Sequence, residues 1–338
     1  MKIKINGTYI KFFDEVAVTF NLGSVASVFS FVGRFNPDNP LHIKVFKPLS
    51  FSKVEIFSND DELLLTGTMI NHDFNSDARP QLWVLSGYSL PGILEDVNIP
   101  YDQYPLESLK RNLKDITEKL ISTFGINLVV DGSVSQEVRI PFDKSVADPS
   151  ESIKEYLSKI AGQRNIVMSH NEKGDLLYFR PDTKALPKMR FNVENTLSMA
   201  FSVKGQALHS DVTVLRQPSD ENSNISPVDT VKNVMVNQFR PAVKVLSSGT
   251  DTATKKAADN ELAAELQNIT LKIEINKLLK LKPGNIVEVK NEEIFLFEYT
   301  RFMISSIALN EKTSSESSSL SLVLPESFTG ETPKNIFS

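Results

Sequence analysis

Short runs of alternating apolar and polar residues fill the first 88 positions: "EVAVTF" (15–20), "SVFSFVGRF" (27–35), "HIKVF" (42–46), "KVEIF" (53–57) and "ELLLTGTMI" (62–70). A period of two, rich in β-branched and aromatic residues, predicts half-buried strands. The clusters "NPDNP" and "SNDD" between them carry turn-forming residues. Several short strands at this spacing predict a small barrel or sandwich.

The period changes after Pro91. In "PLESLKRNLKDITEKLISTFG" the apolar positions Leu106, Leu109, Leu113, Ile116, Leu120 and Phe124 stand three or four apart. That spacing predicts a helix with one apolar stripe, opened by Pro105 and closed by Gly125. "INLVV" then reads as a strand. A second helix is expected over about 149–161, with Asp148 as cap, Pro149 in the first turn and Glu151 completing a capping box. Its apolar face would be Ile153, Tyr156, Leu157 and Ile160. "NIVMSHNEKGDLLYFR" predicts a hairpin turning near Asn171–Gly174.

Alternation returns from about 187, in "MRFNV", "SMAFSV" and "DVTVL". "RQPSDENSNISP" (216–227) reads as a polar loop. "TATKKAADNELAAELQ" (252–267) reads as a helix from its alanine, glutamate, lysine and leucine content. The chain closes in β texture.

Two stretches repeat. "KVEIFSNDDELLLTGTMINHDF" (53–74) and "IVEVKNEEIFLFEYTRFMISSIAL" (286–309) share a strand, an acidic turn and a longer strand. Val54-Glu55-Ile56 matches Val287-Glu288-Val289, and Asn59–Glu62 matches Asn291–Glu293. Leu63–Leu65 matches Phe295–Phe297, and Met69-Ile70 matches Met303-Ile304 one residue out of phase. Each copy returns on an alternating strand, "QLWVLS" or "LSLVL". The fold class expected is therefore α+β, mainly β. Two similar small β-barrel-like domains, 1–88 and 187–338, would flank an α+β domain at 89–186, with the helix near 252–267 in the last.

Composition narrows the chemistry. The 338 residues include no cysteine, which removes disulfides, thiolate metal sites and cysteine nucleophiles. The four histidines, His42, His72, His170 and His209, show no helical metal-ligand spacing. No metal or cofactor site is expected. A formal net charge of −5 offers no basic surface for holding nucleic acid. No apolar run is long enough to span a bilayer. The start, "MKIKINGTYIKFF", lacks the uninterrupted apolar core of a signal peptide.

"SGYSLPG" (86–92) invites a nucleophile-elbow reading of Ser89. An elbow wants glycine on both sides and a helix at once. Here Pro91 stands where the second glycine should be, and the first convincing helix begins near Pro105. Glu95 and Asp96 suggest paired carboxylates for sugar hydrolysis, but neighbours on an extended chain point to opposite faces. No catalytic residue is assigned.

The order of four segments resembles the baseplate hub proteins of contractile-tailed phages, the late control protein D group, whose fold recurs at the base of type VI secretion spikes. The segments are "LSGYSLPGILEDVNIP" (85–100), "LESLKRNLKDITEKLISTFGINLVVD" (106–131), "ESIKEYLSKIAGQRNIVMSHNEKGDLLYFRP" (151–181), and "LKPGNIVEVKNEE" with "FMISSIALNEKTSSESSSLSLVLPESF". The chain departs from the family at Ile93–Asn98, where Asp-Leu-x-Asp-Cys-Ser is frequent, and 216–245 matches nothing familiar.

The resemblance implies a structural virion component, made in the host cytoplasm and located in the tail baseplate. It implies a homotrimer whose six similar units join a sixfold tail tube to a threefold central spike. Implied partners are the tube, spike, tape measure and baseplate wedge proteins. DNA would pass without specific binding, and there would be no membrane insertion. The alternatives are a tail-associated cell-wall hydrolase using Glu95 or Asp96, and a receptor-binding tail protein, which the helical unit at 105–161 disfavours.

Overall fold

The computed structural model describes residues 1–10, 13–76, 82–103, 107–142, 144–216, 228–246 and 254–337. The opening unit comprises β1 (Lys2–Ile5), β2 (Thr8–Ile10), β3 (Glu15–Asn21), β4 (Val28–Arg34), helix α1 (Pro40–Val45), β5 (Lys53–Phe57), β6 (Leu63–Phe74) and β7 (Leu82–Ser89). Alternation builds it as expected: Val16, Val18, Phe29, Phe31, Val54, Ile56, Trp83 and Leu85 all face one core. The exception is "HIKVF", expected as a strand and found in α1. Asn39 decides this, because its side chain accepts a hydrogen bond from Leu41 N at 2.9 Å and Pro40 starts the first turn.

The middle unit contains α2 (Ile93–Asp96), β8 (Glu107–Leu109), α3 (Leu113–Ser122), β9 (Leu128–Val130), β10 (Lys144–Val146), α4 (Ile153–Gly162), β11 (Val167–His170) and β12 (Leu176–Phe179). Helix α3 starts eight residues later than Pro105 predicts. Glu107–Leu109 instead pairs with Lys144–Val146, Lys110 turns the chain at φ 50°, and Asn112 caps α3 through Asp115 N at 2.9 Å. Leu106 lies outside the described residues.

Helix α4 likewise starts later than expected, at Ile153. Its capping box is Ser152 with Glu155, each side chain bonded to the other's backbone N–H, at 3.1 and 2.7 Å. The Asp148–Glu151 exchange exists too, with Asp148 N donating to Glu151, but it closes the preceding turn. Leu113, Ile116 and Leu120 of α3 and Ile153, Tyr156, Leu157 and Ile160 of α4 are buried in one core with Met168 of β11 and Leu176 and Tyr178 of β12. Thr117 meets Tyr178 and Ser145 meets Tyr156, each at 2.8 Å, so the buried hydroxyls are partnered.

The closing unit comprises β13 (Met189–Phe191), β14 (Ser198–Val203), β15 (Asp211–Arg216), β16 (Val228–Lys232), β17 (Pro241–Leu246), α5 (Thr254–Leu266), β18 (Ile269–Ile275), β19 (Ile286–Asn291), β20 (Leu296–Lys312) and β21 (Ser315–Val323). Helix α5 lies where composition placed it. Its alanines at 257 and 258 pack with Val214 of a small side sheet, β16–β15–β17. Leu262 and Leu266 enter the main core. The polar loop expected at 216–227 lies, apart from Arg216, outside the described residues.

The two β units share one plan. Hydrogen-bonded order is β3–β4–β7–β6–β5 in the first and β14–β18–β21–β20–β19 in the second, antiparallel throughout. Irregularities recur at matching places. The β5–β6 register shifts after Ile56, and the β19–β20 register after Val289. Ile70 and Ser305 each bulge from the pairing with the following strand.

The pairings correct the phase read from sequence. Val54 faces Gly67 and Val287 faces Phe302, so the second hairpin is two residues longer. Leu65 therefore corresponds to Thr300 and Met69 to Ile304. The units differ at one edge: β1 lies antiparallel to β5, but β13 runs parallel to β19. Strand β20 outruns its own unit. Its residues Ser306–Lys312 pair antiparallel with Asn21–Glu15 of β3, which fuses both units into one 13-stranded sheet.

Candidate functional site

Ser89 ends β7 and is fully buried. Its Oγ donates to Val25 O at 2.6 Å and accepts from Ser27 N at 3.1 Å. A helical stretch does follow it directly, a single 3₁₀ turn over Leu90–Gly92 and then α2, contrary to the expectation of a later start. The serine faces inward, away from that turn's approach, and its hydroxyl is spent on tying the β3–β4 connection to β7.

Glu95 and Asp96 lie on α2, not on an extended segment, and serve different neighbours. Asp96 accepts from Tyr88 Oη at 2.6 Å. Burial first, and then that carboxylate, push the Tyr88 phenol well above its usual value. Glu95 accepts from Ser24 Oγ at 3.3 Å and faces Lys154 at 3.7 Å.

The histidines are scattered. His42 accepts from Asn36 N at 3.2 Å, His72 stacks on Phe74, and His209 meets Glu265 at 2.7 Å. His170 sits 2.7 Å from Ser27 Oγ through Nε2 and 3.0 Å from Asn171 O through Nδ1. Burial holds the ring below its ordinary value, so Nδ1–H donates to the carbonyl and Nε2 accepts from Ser27. This Ser–His contact, which nothing in the sequence signals, has a carbonyl where a nucleophile's base would have a carboxylate, and Ser27 is fully buried. It pins the first β unit to the middle unit. Among the described residues no group of three or more metal-capable side chains comes together.

What the fold does bring together is a joint. The acidic tip between β5 and β6 reaches onto the closing unit's β18–β19 connection. Asp60 pairs with Lys280, and Glu62 with Lys282 at 3.6 Å. Lys282 also meets Glu172 of the middle unit at 2.6 Å, so one cation ties three units. The Lys280 hydrogen bond holds Asp60 below the usual carboxylate range, and Glu172 raises Lys282. Behind these exposed charges, Leu64 packs against the closing unit's core. A cavity of about 450 Å³ lies at the meeting point, lined by Met1, Phe20, Leu64, His170, Phe179 and Leu281. The N-terminal amine pairs with Glu311 of β20.

This arrangement of units has counterparts. The 43 kDa tail protein of prophage MuSo2 from Shewanella oneidensis superposes with a TM-score of 0.79, at 17% identity, over 96% of this chain and 98% of that one. The tail protein of Neisseria meningitidis MC58 does so at 0.77 and 20% identity, over 96% and 98%. The E. coli c3393 protein, a type VI secretion component described as structurally similar to T4 tail proteins gp27 and gp5, reaches 0.59 at 9% identity, over 99% and 80%. Residues 97–180 match the model of the second domain of gp44-like baseplate hub proteins.

The fold is that of these tail proteins. The hub-domain match falls on the helical middle unit, where the helix–strand and helix–hairpin segments carry the resemblance. The whole-chain likenesses extend over both β units. No curated protein matches the chain. No helix among the described residues is long and apolar enough to cross a membrane.

Proposed function

We propose that the chain is a structural component of a phage-type tail, the baseplate hub. Three copies form a ring of six similar units, joining a sixfold tail tube to a threefold central spike. The observation that carries this reading is the shared strand plan, with bulges at matching positions, in two units already joined edge to edge inside one chain. A duplicated unit is what lets a threefold assembly present a nearly sixfold face. In this reading residues 1–88 and 187–338 are the two hub domains and 89–186 the domain that braces them.

The partners are the tube, the spike, and the tape measure and wedge proteins, and the place of action is the virion tail. DNA passes through without being held, in keeping with a net charge of −5. The role is non-enzymatic: Ser89, Glu95 and Asp96 are all occupied by structural contacts. Copy number per particle tests the proposal. Three chains per tail support it. Six chains or one, or turnover of peptidoglycan by the purified protein, contradict it.

A further inference from the structure

The cavity at the meeting point of the three units takes walls from each of them. Phe20 and Leu64 come from the opening unit, Leu177 and Phe179 from β12, and Leu278 and Leu281 from the β18–β19 connection. All six residues keep part of their surface uncovered. The void persists because the segment that spans it is tied at both ends. Ser318 Oγ accepts from Leu279 N at 3.0 Å and donates to Lys277 O at 2.7 Å, and Gly284 N donates to Ile304 O at 2.8 Å. Between these ties residues 278–282 belong to no helix or strand, so the segment bridges the void instead of filling it. At about 450 Å³ the cavity falls in the roughly 300–1,000 Å³ range of small-molecule sites.

Its interior suits an apolar occupant. Ser27 and His170 reach the wall already bonded to each other at 2.7 Å. None of the buried side-chain polar atoms that lack a partner among the described residues lies in the lining. Water therefore finds few partners there, whereas an apolar body covers the six open side chains. The exposed rim suits a cation. Lys280 is engaged with Asp60, Lys282 with Glu172 and Glu62, and the N-terminal amine with Glu311. Glu316 also lines the cavity, is exposed, and forms no ion pair among the described residues. A cationic head finds that unmatched carboxylate. An anionic head would meet Asp60, Glu62, Glu172 and Glu316, with every cation of the lining already engaged.

We propose that this cavity binds a single-chain amphiphile, an unbranched alkyl body with a cationic head. The alkyl chain lies among Phe20, Leu64, Phe179 and Leu281, and the head stays at the rim beside Glu316. Because the walls come from all three units, the occupant fixes their mutual placement and binds only the folded chain. Every wall belongs to one chain, so a monomer and a ring carry the same site, and the test below is independent of copy number.

Decyltrimethylammonium, kept below its micelle concentration, is the probe. Calorimetric titration of the full chain shows one saturable site, and the melting temperature rises with probe concentration. Shortening the tail to octyl weakens binding roughly fifteenfold, about fourfold for each methylene. Decanoate, the same length of tail with an anionic head, binds roughly tenfold more weakly or worse. Glu316→Gln weakens the ammonium about twofold to fivefold and leaves decanol binding unchanged. Leu281→Trp fills the void and abolishes binding of both, with circular dichroism as the check on folding. Absence of a saturable site below the micelle concentration overturns the proposal, as does decanoate binding as tightly as the ammonium. Wild-type affinity in a folded Leu281→Trp chain overturns it too, because the probe then sits elsewhere. Should that variant not fold, Glu316→Gln at its exposed position decides, and an unchanged ammonium affinity there counts against the site.

Discussion

Single polar groups tie the opening unit together and pin it to the middle unit. Ser89 satisfies two backbone groups that would otherwise be buried and unpaired, Val25 O and Ser27 N. Ser89→Ala is expected to lower unfolding free energy by about 1–3 kcal/mol. The readout is the urea midpoint at constant m-value. An unchanged midpoint would remove Ser89 from the account of this connection.

His170 adds a pH dependence. Its ring titrates below the ordinary 6.5 in the folded chain, because burial disfavours the cation, while the nearby Glu172 charge opposes the shift. The unfolded chain therefore binds the proton more readily. This contribution is complete above about pH 6.5 and declines as pH falls through and below it. His170→Gln should flatten that part of the stability profile, measured by denaturation between pH 7 and 5. A profile parallel to wild type would mean that His170 is not the titrating group.

At the scale of elements, glycines allow the tight β6–β7 pairing. A Cβ at Gly87 would lie 2.0 Å from Thr68 O, and one at Gly67 2.2 Å from Tyr88 O. Gly87→Ala must push the strands apart and is expected to cost about 1–3 kcal/mol. Thermal unfolding would show it, and an unaltered melting temperature would contradict the packing described.

The same scale shows what the sequence disclosed. Alternation placed most strands, and the turn position and strand order of 53–74 and 286–309 pointed to the duplication, while the bulges show only in the pairings. The periodic stripe ran too far back in α3, because Leu109 of a short strand happens to fall in helical phase. Caps at Asn112, Ser152 and Asn39 settle those starts, and a cap is recognised only once the backbone around it is fixed. The Ser27–His170 contact and the Lys282 junction join residues more than 100 positions apart, and no local pattern encodes them.

At the scale of the molecule, one chain contains two units on one strand plan, joined edge to edge through β20 and β3. In the proposed trimer such a chain would supply two of six similar units.

The most direct test is the mass and symmetry of the purified protein in solution, by light scattering together with averaged electron-microscope images. The account predicts particles of three chain masses that appear as rings with nearly sixfold projections. A monomer at every concentration, or a twofold dimer, would contradict it.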